Sequence, residues 1–202
     1  MFDAALRRVI DPPLDRIGRR IAALGISANA VTLAGFAVGL SALPLLATER
    51  YGLALAAIVV NRLFDGLDGA VARHVGKTDF GGYLDIVCDF IFYAGVVFGF
   101  ALARPGENAL AATFLVFSFV GTGSSFLAYA ILAAKRGVTT EIRGSKAFYY
   151  LGGLTEGTET ALLFVVLCLI PRSFPVLAVI FGVLCWVTTL TRIIAARRAF
   201  HG

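Results

Sequence analysis

Two pairs of aspartates stand at helical spacing in a chain of 202 residues that is 58% hydrophobic and only 15% charged. Asp65 and Asp68 are three residues apart and Asp85 and Asp89 are four apart, so each pair lies on one face of a helix. The pairs are almost equally far from a turn near Gly76. If the two helices are antiparallel neighbours, all four carboxylates come to one level.

Four ionised carboxylates in so apolar a chain repel one another and lose hydration, so they require protons or a cation. A site with only carboxylate oxygens suits Mg²⁺ or Mn²⁺, and Ca²⁺ is a further candidate. The histidine and cysteine ligands that zinc prefers are not grouped near the aspartates. The spacing therefore predicts a divalent metal site.

Small residues continue the same two helix faces. Gly69 and Ala72 lie beside and one turn from Asp68, Gly81 lies one turn before Asp85, and Arg73 stands at the rim. Small residues in membrane helices also serve close helix packing, which is the alternative interpretation of each glycine. Next to acids and an arginine, they favour a cavity for a phosphorylated ligand.

The helices that carry these residues are expected to span a membrane. A mean hydropathy of +0.84 exceeds what a soluble domain of this length can bury. Six apolar stretches are long enough to be spans, so we predict an all-α bundle of six transmembrane helices that forms one membrane domain over residues 1–202. The candidate spans are residues 30–48, 51–73, 80–103, 108–134, 147–170 and 174–196.

The segment before the bundle, residues 1–26, alternates apolar residues with arginines at near-helical spacing. This pattern predicts an interfacial amphipathic segment with a break at Pro12-Pro13, and a solvated arm is the alternative. The bundle itself then takes residues 27–202. Basic residues concentrate before span one and in the loops after spans two and four, which places both termini in the cytoplasm. The net charge of +5 favours anionic lipid over nucleic acid as a partner.

The stretch from Asp65 to Asp89 resembles the signature of the CDP-alcohol phosphotransferase family, D-x2-D-G-x2-A-R-x8-G-x3-D-x3-D. All its fixed residue types are present, although seven residues separate Arg73 from Gly81 where the usual pattern has eight. The stretch "SANAVT" also resembles the Asn-x-x-Thr that often opens the first span in this family, with Thr32 as its threonine. Six spans agree with the family's architecture.

The resemblance implies an enzyme in which an alcohol attacks the lipid-side phosphate of a CDP-alcohol, usually CDP-diacylglycerol, and CMP leaves. It implies two Mg²⁺ or Mn²⁺ ions shared by the four aspartates, with Asp89 and Asp85 as catalytic residues and Asp89 as the base. Thr32, Gly69, Ala72, Arg73 and Gly81 would line the donor pocket. A homodimer in the cell membrane, the inner membrane in bacteria, with a cytoplasmic active site is also implied.

Two further groups of residues are candidates for binding the acceptor alcohol. Lys135, Arg143 and Lys146 could hold the phosphate of glycerol phosphate or inositol phosphate, although positive-inside topology alone also explains them. Glu156 and Glu159 share one face of span five and could bind a polyol or an amine. Arg62, a cation three residues deeper than Asp65, is expected to pair with an intramembrane acid, and its pairing with one of these glutamates is the structural alternative.

A second function class, a divalent-cation transporter or channel, would use the same acids to line a pathway. A through-path needs polar side chains along its whole length. The polar residues of the spans fall in their cytoplasmic parts, whereas residues 53–60 and 161–170 are almost purely apolar. The sequence therefore favours a transferase over a transporter.

Overall fold

The structure, a computed structural model, describes residues 3–137 and 154–200, with side chains from residue 12 onward. These residues form α-helices joined by short turns and contain no strand. The helices are α1 (Asp3–Ala23), α2 (Ala28–Ala47), α3 (Tyr51–Val75), α4 (Asp79–Ala103), α5 (Pro105–Lys135), α6 (Gly157–Leu169) and α7 (Phe174–Phe200), and a 3-10 turn (Pro171–Ser173) precedes α7. The all-α class is confirmed.

Four of the described segments are long and apolar enough to cross a membrane by length and composition: α2, α4, α5, and the 3-10 turn together with α7. Helix α3 has 25 residues, which is long enough to span, but it carries Arg62, Asp65, Asp68 and Arg73. Helix α6 has only 13 described residues. It begins at Gly157, with Glu156 as its extended N-cap, so the predicted span over 147–170 is wrong at residues 154–156, and residues 147–153 lie outside the described part of the chain.

Helix α1 runs without a break through Pro12 and Pro13, so the predicted interruption there is wrong. Proline's fixed φ is compatible with a helix, and its cost lies in the missing N–H and the clash with the preceding turn. The continuous helix packs against α3. Gly18 is buried beside Ala70 and Val71, and a Cβ at Gly18 would clash with them.

Helix α2 packs against both α3 and α4, which touch each other far less. This close approach depends on Gly39, where an added Cβ would lie 2.7 Å from the Asn61 amide nitrogen and 2.8 Å from the Phe92 ring. The expectation that α3 and α4 bring the aspartates together as direct neighbours is therefore incomplete. Helix α2 forms the third wall of the site.

The apolar core lies in the half of the bundle that holds the C-terminal ends of α2 and α4 and the N-terminal ends of α3, α5 and α7. Leu46, Phe100 and Phe174 are fully buried there, and the Phe100 and Phe174 rings stack with centroids 4.9 Å apart. The aspartates occupy the other half. The fold thus separates an apolar half from a polar half along the length of the helices.

Candidate active site

The four aspartates of the motif line one cavity of about 10 Å³ where α2, α3 and α4 meet. Asp65 and Asp68 come from the second half of α3, and Asp85 and Asp89 from the first half of α4. Thr32, near the N-terminus of α2, lines the same cavity. The convergence of the two pairs, predicted from spacing, is thus present in the structure.

Each side of this cavity has its own hydrogen-bond donor. The Thr32 hydroxyl donates to Asp68 Oδ2 over 2.6 Å, and Asp68 is only 7% exposed. On the opposite side, Arg62 Nη2 donates to Asp89 Oδ1 over 2.7 Å, and Arg62 Nη1 lies 3.6 Å from Asp65 Oδ2. Arg62 therefore pairs with acids, as its position in the sequence predicts, and these acids are Asp65 and Asp89.

Four carboxylates and one hydroxyl line one small cavity, and oxygen ligands of this kind suit a divalent metal, although Asn61, Arg62 and Cys88 line the same cavity. Among residues 12–137 and 154–200, however, no three His, Cys, Asp or Glu side chains converge closely enough to hold an ion. Thr32 and Arg62 hold the carboxylates through other bonds. The metal role of the four aspartates therefore stays a prediction.

The two glycines of the motif differ in their surroundings. A Cβ at Gly81 would lie 3.0 Å from Thr78 Oγ1 and 3.1 Å from Asn29 Oδ1, so Gly81 allows the start of α4 to approach the start of α2. A Cβ at Gly69 would meet nothing nearer than the Arg73 guanidinium at 4.0 Å. Close packing thus explains Gly81, whereas Gly69 borders open space.

The motif arginine lies at the end of α3, where it contacts helix α1. Arg73 is exposed, and its Nε lies 3.5 Å from Asp15 Oδ1, which is also 3.2 Å from His74 Nε2. Ala72, which precedes Arg73, is half-buried. Helix α1 therefore contributes an acid beside the rim at which the sequence places the donor pocket.

The structure describes three of the five residues that the sequence predicts for acceptor binding. Lys135 is exposed at the C-terminal end of α5, and Arg143 and Lys146 lie outside the described residues. Glu156 is the N-cap of α6, and together with Glu159 it forms a capping box in which Glu159 Oε2 accepts from the Glu156 N–H over 3.1 Å. Both glutamates thus have a structural role at the start of this helix.

A second cavity, of about 130 Å³, lies between α4, α5, α6 and α7. Its polar lining consists of Tyr93, Thr122, Thr155, Glu156, Thr160 and Arg192, and three phenylalanine rings, two glycines and Cys185 line the remainder. Tyr93 connects the two cavities, because its hydroxyl donates to Asp89 Oδ2 over 3.1 Å. A polar molecule bound in the second cavity would lie next to the carboxylates.

Sequence reasoning missed the positions of Tyr93 and Arg192. Arg192 is 7% exposed, its Nη1 donates to the Thr122 carbonyl oxygen over 3.0 Å, and its guanidinium lies over the Phe126 ring. Its place within the predicted span over residues 174–196 is the signal that could have identified Arg192 as a buried cation.

Comparison with known proteins gives consistent results. Residues 25–194 match the family model for CDP-alcohol phosphatidyltransferase. The chain is 55% identical over 193 residues to the inner membrane protein YnjF of Escherichia coli, covering 96% of this chain and 94% of that protein. It is 30% identical over 194 residues to the archaetidylinositol phosphate synthase of Pyrococcus horikoshii, covering 96% and 95%.

Solved structures show the same fold. The phosphatidylinositol phosphate synthase of Mycobacterium tuberculosis with CDP-DAG bound has a TM-score of 0.74 at 21% identity, covering 91% of this chain and 93% of that chain. The same enzyme in complex with manganese and citrate has a TM-score of 0.71 at 22% identity, covering 90% and 88%. The family model spans most of the chain and contains the whole aspartate motif. The chain therefore belongs to the CDP-alcohol phosphatidyltransferase family and is a transferase of substituted phosphate groups.

Proposed function

We propose that the protein transfers a phosphatidyl group from a CDP-alcohol, CDP-diacylglycerol, to the hydroxyl of an acceptor alcohol. The acceptor oxygen forms a bond to the lipid-side phosphorus, the bond from that phosphorus to the CMP oxygen breaks, and CMP leaves. The observation that carries the proposal is the single cavity that both aspartate pairs line together with Thr32. The CDP-DAG in the M. tuberculosis homologue supports the choice of donor.

Asp65, Asp68, Asp85 and Asp89 would hold divalent metal, Mg²⁺ or Mn²⁺, as two ions. When bound, the metal neutralises the pyrophosphate and the charge that develops on its oxygens. The four carboxylates and the Thr32 hydroxyl that line one cavity, and the manganese in the M. tuberculosis structure, support this assignment. Asp89 would also accept the proton of the attacking hydroxyl, because it lines the carboxylate cavity and is hydrogen-bonded to Tyr93, which lines the second cavity.

The donor nucleotide would lie against Gly69, Ala72 and Arg73, at the cytoplasmic end of α3. Open space beside Gly69 supports this position, because a backbone without a side chain permits close approach of a phosphate or sugar. Gly81 would contribute by letting α4 begin close to α2. Thr32 would act through Asp68, whose carboxylate it binds.

The acceptor would be a phosphorylated polyol bound in the second cavity. The hydroxyls of Thr122, Thr155 and Thr160 suit a polyol, and the Arg192 guanidinium suits a phosphate. Lys135, Arg143 and Lys146 would extend the phosphate site at the cytoplasmic surface, while Glu156 would accept hydrogen bonds from the polyol and Glu159 would hold Glu156 in place. The name of the P. horikoshii protein, archaetidylinositol phosphate synthase, and that of the M. tuberculosis protein, phosphatidylinositol phosphate synthase, support this acceptor class.

In the membrane, the chain would form one domain of six spans, with α3 and α6 joining the four apolar segments. Helix α3 carries its charges beside the cavity, and α6 begins at Gly157 behind its N-cap Glu156. Helix α1 would lie in the cytoplasmic interface, with Arg16, Arg19 and Arg20 exposed to anionic headgroups. The protein would be a homodimer in the cell membrane, with both termini and the active site on the cytoplasmic side.

A cation transporter built on the same acids is the second candidate. It requires a polar path through the bundle, whereas the half that holds Leu46, Phe100 and Phe174 is a packed apolar core. In α3, no charged or amide side chain precedes Asn61 and Arg62. The packing therefore favours the transferase.

The test is an assay for CMP release by the purified protein with CDP-diacylglycerol, Mn²⁺ or Mg²⁺, and a panel of acceptors that includes inositol phosphate, glycerol phosphate, inositol and serine. We expect CMP with a phosphorylated polyol. Asp68→Asn and Asp89→Asn keep the side-chain shape but remove the charge, so each should lower kcat by orders of magnitude at unchanged folded yield. Wild-type protein that releases no CMP with any acceptor would refute the proposed function.

A further inference from the structure

Arg62 forms the centre of a hydrogen-bond network on the membrane-core side of the aspartates. Its Nη2 donates to Asp89 Oδ1 over 2.7 Å, and its Nη1 donates to the Tyr93 hydroxyl over 3.0 Å. The Tyr93 hydroxyl in turn donates to Asp89 Oδ2 over 3.1 Å. Arg62, Tyr93 and Asp89 thus form a closed three-membered ring of hydrogen bonds.

The guanidinium itself is held in one orientation. Nε and Nη2 both donate to Asn61 Oδ1, over 2.9 and 2.6 Å, and the buried Asn61 amide is anchored by donating to the Gly35 carbonyl oxygen over 2.9 Å. Arg62 Cζ also lies 4.8 Å from the centroid of the Phe92 ring and 5.2 Å from that of the Tyr93 ring. Because the Arg62 guanidinium is held by the Asn61 oxygen and by the two aromatic rings, it presents Nη2 to Asp89 in a single geometry.

Both carboxylate oxygens of Asp89 are therefore engaged from the same side. A carboxylate oxygen can accept two hydrogen bonds, so each oxygen keeps one lone pair for another partner. With one oxygen bound to Arg62 and the other to Tyr93, the carboxylate plane cannot rotate about its χ2 angle without breaking a bond to one of them. The remaining lone pairs keep a fixed direction.

We infer that Arg62 and Tyr93 are positioning residues that fix the Asp89 carboxylate for its role in the transfer reaction. This inference rests on the proposed function, in which Asp89 binds metal and accepts the proton of the acceptor hydroxyl. Arg62 and Tyr93 touch Asp89 and act through it. Partners of this kind, one bond removed from a metal ligand, typically change metal affinity or activity by about 10- to 100-fold when removed.

A different role for Arg62, neutralising intramembrane acids so that the bundle folds, would account for the ion pairs with Asp65 and Asp89 alone. It does not require the neutral hydroxyl of Tyr93. Tyr93→Phe separates the two roles, because it removes the bond to Asp89 Oδ2 and leaves the charge of Arg62 and the aromatic ring in place. Tyr83, on the same helix, is 63% exposed, and Tyr83→Phe is the matched control.

The experiment compares wild type, Tyr93→Phe, Tyr83→Phe, Arg62→Lys, Arg62→Gln and the double variant with Tyr93→Phe and Arg62→Gln. CMP release from CDP-diacylglycerol gives kcat and the donor KM at saturating Mn²⁺. The dissociation constant of Mn²⁺ without substrate is measured by electron paramagnetic resonance, and thermal unfolding in detergent reports stability. Arg104→Gln, at the opposite end of the bundle, is the control for removal of an arginine.

We expect Tyr93→Phe to lower kcat and to weaken Mn²⁺ binding by about 10-fold each, with the donor KM and the unfolding temperature near those of Tyr83→Phe. Arg62→Lys should restore folded yield relative to Arg62→Gln but not kcat, because an ammonium group cannot reproduce the fork. The double variant should lose less activity than the product of the single losses, since both act on one carboxylate.

A Tyr93→Phe protein that matches Tyr83→Phe in either kcat or Mn²⁺ affinity overturns the inference, and so does full recovery of kcat in Arg62→Lys. Both results require an active wild type. A wild type that releases no CMP with any acceptor instead refutes the proposed function, and the positioning role falls with it. The two failures are therefore distinguished by the wild-type measurement.

Discussion

Replacing Thr32 by valine tests how far Asp68 depends on helix α2. The Thr32 hydroxyl has a single proton, which it donates to Asp68 Oδ2 over 2.6 Å, and its oxygen also lies 3.1 Å from the Ala28 carbonyl oxygen within its own helix. Valine keeps the shape of the side chain and removes only the hydroxyl. Asp68 is 7% exposed and would lose a short bond to an ionised acceptor.

The expected effect follows from that bond. Hydrogen bonds to charged groups contribute about 1.5–3 kcal/mol, which corresponds to roughly 10- to 150-fold in an equilibrium constant. If Asp68 binds metal, the half-saturating Mn²⁺ concentration for CMP release should rise by about 10-fold, the lower end of this range, because a water molecule can replace part of the lost bond. The value of kcat at saturating Mn²⁺ should fall less.

Thr113→Val is the matched control, since Thr113 is exposed on α5 and its hydroxyl donates only within its own helix, to the Ala109 carbonyl oxygen over 2.8 Å. The assay is CMP release from CDP-diacylglycerol over a series of Mn²⁺ concentrations, with thermal unfolding measured in parallel. Equal half-saturating Mn²⁺ concentrations in the two variants would refute the argument that Thr32 orients a metal ligand.

Three further predictions concern other parts of the bundle. Gly69→Ala should keep the wild-type unfolding temperature but raise the donor KM several-fold, whereas Gly81→Ala, whose Cβ would be crowded at 3.0 Å, should lower the unfolding temperature in a thermal melt. Glu156→Gln should raise the acceptor KM in the CMP assay and leave the donor KM unchanged. The Arg104 guanidinium donates to Glu49 and lowers the pKa of that carboxyl. The stabilisation by this exposed pair is thus present above the ordinary Glu pKa and is lost as pH falls through the lowered pKa. Unfolding temperatures are measured against pH for wild type and Arg104→Gln. The unfolding temperature of Arg104→Gln should fall slightly less between neutral and acid pH than that of wild type.

The positions of the membrane helices follow closely from the sequence, because length and apolar composition determine them. The predicted spans at 30–48, 51–73, 80–103 and 108–134 correspond to α2 to α5 within three residues at each end. The failure at Pro12-Pro13 has a different origin. Two prolines in a row locally favour a break in a helix. Helix α1 is nevertheless continuous, and it packs against α3 through contacts that no local sequence pattern encodes.

The candidate site was predictable only where it depends on spacing within a helix. Periodicity alone places Asp65 with Asp68 and Asp85 with Asp89. The bond from Thr32 to Asp68 and the pairing of Arg62 with Asp89 join residues 36 and 27 positions apart in the chain. Such contacts depend on how helices rotate and cross, which hydropathy does not specify. Depth did predict that Arg62 would need an acidic partner, but it did not identify which acid.

The packing that builds the core also builds the site, and both depend on one face of α2. Gly39 brings α2 against Asn61 of α3 and Phe92 of α4. Two turns earlier on α2, the same close approach places Thr32 within 2.6 Å of Asp68, and one turn earlier Gly35 offers its carbonyl oxygen to Asn61. A larger residue at position 39 would separate α2 from both neighbours, so it would lengthen the bond to Asp68 and release the anchor of Arg62 together. The arrangement of the carboxylates therefore depends on Gly39, although Gly39 contacts none of them.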